Sequence, residues 1–347
     1  MEKYRKFDDA SCGINPFVPL PEAQRSTFVQ FLRMVLSLIL LVIKVPFILL
    51  LLIVLLFLNF VKYFIVIPLL IRMLERLFNY CTVKMMLSAF SVNTIRATYH
   101  PDHKDFDFIK NEKGELSVKD TISGGDIIIS NNVSLIDYLF LELCYAPLYT
   151  QVAINRQSGK FGFRVIGMLE VLRCAIGIRF PQEVDNGSFY DNLETLIASQ
   201  KIKRPIVLFP EATKTNGRGI LNFEPEIVDI ILAAAESGRV KIHTIRFDYD
   251  YQFTSPYNST DPLGLKSALK LLTQLRNSIL IQYYFNVEEK LQELKSREEK
   301  YAFIRKTMMA RTKEYALQLT FREHQQFLDY WFNTQNKFYA NQSKKNK

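Results

Sequence analysis

Histidine, cysteine and tryptophan are scarce in this chain of 347 residues, with four, four and one respectively. Cys12, Cys81, Cys144 and Cys174 stand apart, with no C-x-x-C pair. Their isolation excludes a disulfide framework and a cysteine metal site, and it fits a cytosol-facing domain with buried thiols. Zinc-finger spacing, an RNP-like aromatic motif and a homeodomain pattern are also missing, so the net charge of +9 does not point to nucleic acid. Beside long apolar segments, that basic excess favours an anionic membrane surface or phosphorylated substrates. The histidines are His100, His103, His243 and His324. The pair His100 and His103 has no cysteine or carboxylate cluster at ligand spacing, so no metal and no cofactor are expected.

Apolar material is plentiful: 48% of residues are hydrophobic, enough for both a core and a lipid-facing surface. Residues 28–71 are almost continuously Leu, Ile, Val and Phe, interrupted by Arg33, Lys44 and Lys62. The run starts too late and continues too long for a cleaved signal peptide. Residues 45–61 carry no charge, and at 1.5 Å rise they reach roughly 25 Å, slightly short of a relaxed bilayer span. Residues 34–61 are long enough to cross but carry Lys44 and Pro46, and a bend at Lys44-Val45-Pro46 would instead make a hairpin. A central Lys costs about 2.5–3.5 kcal/mol, which Leu-rich flanks outweigh, so both topologies stand.

The expected order is an N-terminal arm (1–27), a membrane-embedded helical segment (28–71), an α/β domain (72–286), charged C-terminal helices (287–340) and a disordered tail (341–347). Apolar runs at 126–130, 150–154, 174–178, 205–209, 240–247 and 279–285 read as strands. Helical patterns at 135–145, 190–200, 225–236 and 265–276 fall between them. That alternation predicts a mostly parallel sheet flanked by helices. The charged helices, with His324 and Trp331, read as a docking surface without chemistry.

Two polar turns follow apolar strands. The first is Asn131-Asn132-Val133-Ser134-Leu135-Ile136-Asp137. It sits at the carboxyl end of a strand, where open α/β sheets bind ligands. Ser134 and Asp137 also have capping-box spacing. The second is Phe209-Pro210-Glu211-Ala212-Thr213-Lys214-Thr215-Asn216-Gly217, with a hydroxyl and cations suited to a phosphate, or simply a strand-ending turn.

In this order, about 80 residues apart, the two turns resemble the glycerol-phosphate/lysophosphatidate acyltransferase (PlsC-like) family, which carries N-H-x-x-x-x-D and F-P-E-G-T-R. Gly177-Ile178-Arg179-Phe180 is similar to its second block. Ile242-His243-Thr244-Ile245 falls where its fourth block, usually with a proline, would lie. The resemblance covers residues 94–285. The opening Met1-Glu2-Lys3-Tyr4 with Gly13-Ile14-Asn15-Pro16-Phe17 is similar to a fungal branch of the family, acting on lysophosphatidic acid and oleoyl-CoA, that also lacks the first-block histidine.

The resemblance implies acyl transfer from long-chain acyl-CoA, a substrate rather than a cofactor, to lysophosphatidic acid, giving phosphatidic acid. It implies an endoplasmic reticulum or lipid-droplet surface. Asp137 takes the position that orients the catalytic histidine, and Asn132 takes the position of that histidine. An amide accepts no proton near neutral pH, so Asn132 is left as a donor to the developing oxyanion. Arg179, Glu211, Thr213 and Lys214 match substrate-binding positions around the acceptor's phosphate. Lys214 keeps the charge of the family's arginine without its bidentate fork. Ala212 in place of glycine resists positive φ, so this loop is expected to sit differently. General-base catalysis is worth roughly 10²- to 10⁴-fold, so slow transfer without the histidine is allowed. His243 reads first as a core residue and second as a substitute base. The alternative is a catalytically impaired relative that binds lipids or partners.

Overall fold

The computed structural model describes residues 2–22, 26–61, 68–99, 122–251, 253–309 and 315–345. After a short 3-10 turn at Glu2–Phe7 come α1 (Thr27–Val61), α2 (Pro68–Ala89), β1 (Val92–Tyr99), β2 (Ile127–Ser130), α3 (Leu135–Tyr145), β3 (Leu148–Asn155), β4 (Phe161–Val165) and α4 (Met168–Ile176). Next are β5 (Gln182–Val184), α5 (Leu193–Ser199), β6 (Ile206–Leu208), β7 (Gly219–Ile220), α6 (Pro225–Glu236), β8 (Ile242–Tyr251) and α7 (Leu265–Leu272). The chain closes with β9 (Asn277–Tyr284), α8 (Val287–Glu293), α9 (Arg297–Thr307), β10 (Tyr315–Ala316) and α10 (Phe321–Lys345).

Among the described residues the main sheet has eight strands in the order β1-β9-β8-β2-β6-β3-β4, with β5 beside β3. Pairing is parallel except between β8 and β9 and between β3 and β4. Strand side chains alternate between faces, so each central strand feeds two cores. Ile128, Val207, Ile245 and Phe247 face a core closed by α2, α3, α4 and α7. Ile127, Ile129, Leu208 and Ile242 face a second core under α5, α6, α8 and α9. This is the expected α/β sheet flanked by helices.

Of the two topologies expected for the long apolar segment, the structure holds the unbroken one. α1 runs unbroken through Pro46, so no hairpin bend occurs at Lys44-Val45-Pro46. Leu41 and Val45 before the proline, and Ile48, Leu51 and Leu52 after it, pack on the first core. One continuous packing stripe at helical spacing overrides the break. Lys44 Nζ donates to Ser91 Oγ (2.7 Å) and to the Gln274 carbonyl (3.1 Å), and Arg33 bonds Thr254 Oγ1. Both charges of the described apolar run therefore face the protein. Because Lys44 meets Ser91, just beyond α2, α2 returns along the second half of α1. The opposite face of α1 is uncovered: Phe28, Leu38, Val42, Ile53 and Phe57 are all exposed. Thr27–Phe57 is long and apolar enough to cross a membrane, with mean hydropathy 3.2 in a window only 11% buried.

Other boundaries shift. The expected border at residue 72 falls inside α2. The apolar run 174–178, expected as a strand, is the end of α4, because Val171, Cys174 and Ala175 bury at helical spacing. The expected disordered tail is helical as far as Lys345. Of the cysteines, Cys174 is buried, Cys81 is exposed, and Cys12 and Cys144 are intermediate. His100, His103 and Lys62 lie outside the described residues.

The termini meet. Tyr4, Phe7 and Phe17 from the arm form a third cluster with Leu317, Phe327 and Leu328, so α10 and the arm dock on the domain together. Phe17 is fully buried.

Candidate functional site

Parallel pairing of β2 with β6, Ile129 beside Leu208, places the two polar turns side by side at the carboxyl ends of adjacent strands. Asn131 extends the sheet locally: its side chain accepts from the Phe247 amide (2.8 Å) and donates to the Phe247 carbonyl (2.9 Å). Ser134 then caps α3, and the capping box with Asp137 is formed. Asp137 Oδ2 accepts the Val133 and Ser134 amides, both at 2.8 Å, while Oδ1 accepts the Tyr249 hydroxyl. Burial raises the Asp137 carboxyl to about 6, against the opposing pull of these hydrogen bonds and of Lys214.

Asn132 bonds Tyr138 and not Asp137. Its Nδ2 donates to the Tyr138 hydroxyl at 2.9 Å, and its buried Oδ1 has no partner among the described residues. The Tyr138 ring packs on Phe209, centroids 5.1 Å apart, and so joins the first turn to the second.

On the second turn, Lys214 is only 1% exposed. Its Nζ donates to the Ala175 carbonyl (2.6 Å) and lies 5.7 Å from the Tyr138 ring centre. Burial lowers the Lys214 ammonium to about 8; Asp137, Cys174 and Asp261 pull it back up, while Arg179 pushes it further down. Arg179 follows α4, is half-buried, and has no hydrogen bond or ion pair among the described residues. Lys214 thus lies beside Tyr138 and in the field of both Asp137 and Arg179.

Glu211 is placed elsewhere. Its Oε2 accepts the Leu221 amide (3.0 Å), and it lies in the field of Arg246 and Arg305. Burial raises it to about 7. It folds the turn back onto β7 rather than facing Lys214. Ala212 does adopt positive φ, +57°, contrary to expectation. The turn keeps the left-handed geometry that a glycine would take freely, at a cost of roughly 1–2 kcal/mol. Gly217 is needed in full: φ is +74°, and a Cβ there would sit 2.4 Å from the Tyr257 ring.

Sequence reasoning missed His324. Its Nε2 lies 2.8 Å from the Ser259 carbonyl, which can only accept, so Nε2 carries the proton. Nδ1 therefore accepts from Thr213 Oγ1 at 2.7 Å. Phe17 stacks on the imidazole at 4.6 Å, and burial lowers His324 to about 4. Asn216 completes the clasp. Its amide donates to Pro16 O (2.8 Å), and its side chain donates to Asn15 O and Val18 O. The only signal was a histidine spaced with Phe327 and Trp331 on one helix face, which a docking surface also explains. His243, by contrast, is a fully buried core residue between Asp126 and the Asn286 amide, at the opposite end of β2 from the turns.

A cleft of about 290 Å³ lies beside the site, lined by Asn258, Asp261, Lys266, Lys270 and Trp331. Among the described residues, no group of three His, Cys, Asp or Glu is placed to hold a metal. No protein-family model matches the chain, and no curated protein matches it. Among solved structures, the 1-acyl-sn-glycerophosphate (LPA) acyltransferase PlsC of Thermotoga maritima aligns with 81% of this chain and 95% of its own, at 14% identity and a TM-score of 0.43.

Proposed function

We propose that this chain transfers a long-chain acyl group, with oleoyl the expected one, from acyl-CoA to lysophosphatidic acid, giving phosphatidic acid at a membrane surface. The observation that carries the reading is Lys214 lying in the field of Asp137 and Arg179 where two strand-end turns converge. A half-buried guanidinium without a partner, beside a second cation, suits a phosphomonoester. Thr213 gives its proton to His324 and so presents lone pairs, which suits the acceptor's glycerol hydroxyl rather than its phosphate. The uncovered face of α1 rests in the lipid layer of the endoplasmic reticulum or a lipid droplet, with the α/β domain on the cytosolic side. Free cysteines agree with that side.

A second reading is a lipid-binding relative without catalysis. It is favoured by Asn132 and by Asp137, both of whose oxygens are already engaged.

Radiolabelled oleoyl transfer by the purified full-length protein separates the two readings, with lysophosphatidic acid, lysophosphatidylcholine and glycerol 3-phosphate as acceptors. Transfer should favour lysophosphatidic acid. Arg179→Met should raise its KM roughly 10- to 100-fold, the value of a charged hydrogen bond. Binding of lysophosphatidic acid with no transfer to any acceptor, unchanged by Asn132→His, would establish the second reading instead.

A further inference from the structure

We propose that α7 and the turn before it form a second lipid-contacting element, seated beside α1 on a bilayer that carries anionic headgroups. The inference rests on the membrane placement of α1 in the reading above and not on acyl transfer. α7 shares one layer with α1, because its Leu271 and Leu272 enter the first core with Leu41, Val45 and Leu51 of α1. Polar contacts hold the two helices together near both ends of α7. Lys270 Nζ donates to Glu22 (2.9 Å), which also faces Arg33 of α1 (3.8 Å), and the Gln274 carbonyl just past α7 accepts Lys44 Nζ (3.1 Å). Away from the core, this layer shows leucines. Leu263 is 71% exposed, as bare as Leu38 of α1 at 67%, and Leu265, Leu269 and Leu275 are exposed as well. Large apolar side chains gathered in this way, next to the uncovered face of α1, mark an interaction surface rather than chance exposure.

The presentation of Leu263 is built into the chain. Gly264 has φ +71°, and a Cβ there would lie 1.8 Å from the Ile176 carbonyl oxygen, so the turn is pressed onto the end of α4. Asp261 accepts the Gly264 and Ser267 amides, both at 2.9 Å, and Asn258 donates to the Ile176 and Asp261 carbonyls. Leu263 and Leu265 flank that fixed point. Charge then selects the occupant. Leu265 and Leu269 lie one turn apart, and Lys266 and Lys270 repeat beside them at the same spacing. Glu22 is engaged by Lys270 and Arg33, and Asp261 by backbone amides, while Lys266 has no hydrogen bond or ion pair among the described residues. A leucine stripe edged by lysines fits an anionic interface: the leucines enter below the headgroups and the ammonium groups stay level with the phosphates. Lys266 and Lys270 also line the cleft of about 290 Å³, so this seating sets one of its walls at headgroup height.

The experiment places nitroxide labels on the full-length protein, otherwise free of cysteine, in vesicles of two parts phosphatidylcholine to one part phosphatidylserine. The test sites are Leu263→Cys and Leu265→Cys, with Leu38→Cys on α1 as the membrane reference. Ala233→Cys, exposed on α6 over the opposite face of the sheet, is the aqueous reference. Collisions with oxygen, which concentrates in lipid, are compared with collisions with a water-soluble nickel chelate. The oxygen-to-nickel ratio at both test sites should match that at Leu38→Cys and exceed that at Ala233→Cys several-fold. Adding Lys266→Gln should shift the immersed-to-free ratio at Leu265→Cys roughly fivefold toward free, the worth of one cation at an anionic surface, and vesicles of phosphatidylcholine alone should shift it at least as far. Test sites as open to nickel as Ala233→Cys, with Leu38→Cys immersed, overturn the inference and leave the placement of α1 standing. Test sites shielded from both reagents mean that protein covers this face, a second copy or another part of the chain, and overturn it too. An immersed ratio indifferent to Lys266→Gln and to the loss of phosphatidylserine overturns the anionic bilayer as occupant. A Leu38→Cys label open to nickel removes the membrane placement of α1, and the inference with it.

Discussion

His324 sets a measurable pH dependence of stability. It is fully buried and neutral, and its folded value of about 4 lies below the 6.5 of an unfolded histidine. Between those values the unfolded chain binds more protons, so this contribution is complete above pH 6.5 and is lost as pH falls toward 4. The difference corresponds to about 3 kcal/mol. Two buried carboxyls work in the opposite direction. Glu211 is raised from 4.5 to about 7 and Asp137 from 3.8 to about 6, so both bind protons more readily when folded and favour the fold as pH drops. The net curve of the wild type therefore hides the histidine, and a comparison exposes it. His324→Gln keeps a neutral donor and acceptor but cannot be protonated. Trp331, the single tryptophan, packs 5.0 Å from Tyr4 and 5.6 Å from Phe327, so its fluorescence reports the clasp directly. In thermal melts at pH 7.5 the wild type should be the more stable. By pH 4 its advantage should shrink by about 3 kcal/mol, or roughly 5 °C in Tm. A gap between the two proteins that stays constant from pH 7.5 to 4 would refute the buried neutral imidazole.

Gly217→Ala combines a left-handed backbone with a Cβ 2.4 Å from the Tyr257 ring. It should cost about 2–4 kcal/mol in a melt, and Gly217→Asn, which tolerates the angle but adds bulk, should not rescue it. Ala212→Gly relieves φ +57° and should raise stability by about 1 kcal/mol in the same melt. A destabilised Ala212→Gly would mean that the Ala212 methyl contributes more through packing than its backbone angle costs.

The sheet was legible because β2 and β6 are short, β-branched and bounded by turn residues, and because the helices between the strands repeat at 3.6 residues. Residues 174–178 misled for a physical reason: a short apolar run reads as a buried strand or a buried helix end alike, and only tertiary packing decides. β1 and β4 were missed because edge strands carry no continuous apolar run; β1 alternates half-buried and exposed positions. At the site, the turns and Asp137 were visible as motifs, and so was the capping box. Their partners were not. Tyr138, Tyr249 and Ala175 reach the site through folding, and His324 and Phe17 arrive from opposite ends of the chain. No local spacing encodes a contact between positions 17, 213 and 324.

Arg33 and Lys44 decide how α1 meets a bilayer. They lie on the stripe that attaches the helix to the domain, from Arg33 to Leu52, a length of roughly 28 Å. That attached length is nearly the thickness of a hydrocarbon core, about 30 Å. A crossing perpendicular to the bilayer would drag Ser91, Thr254 and the Gln274 carbonyl into lipid with it, leaving sheet and loop backbone where only helices and closed barrels are stable. Lying in an interface plane, α1 would bury Phe28, Leu38, Val42, Ile53 and Phe57 in lipid and keep both cations on the protein. Single cysteines at Thr27 and Phe60, in a protein otherwise free of cysteine, test this in sealed vesicles with a membrane-impermeant maleimide. Both should label from the side that carries the α/β domain. Labelling of the two from opposite sides would mean that Lys44 has left Ser91, and that the packing along α1 does not persist in a membrane.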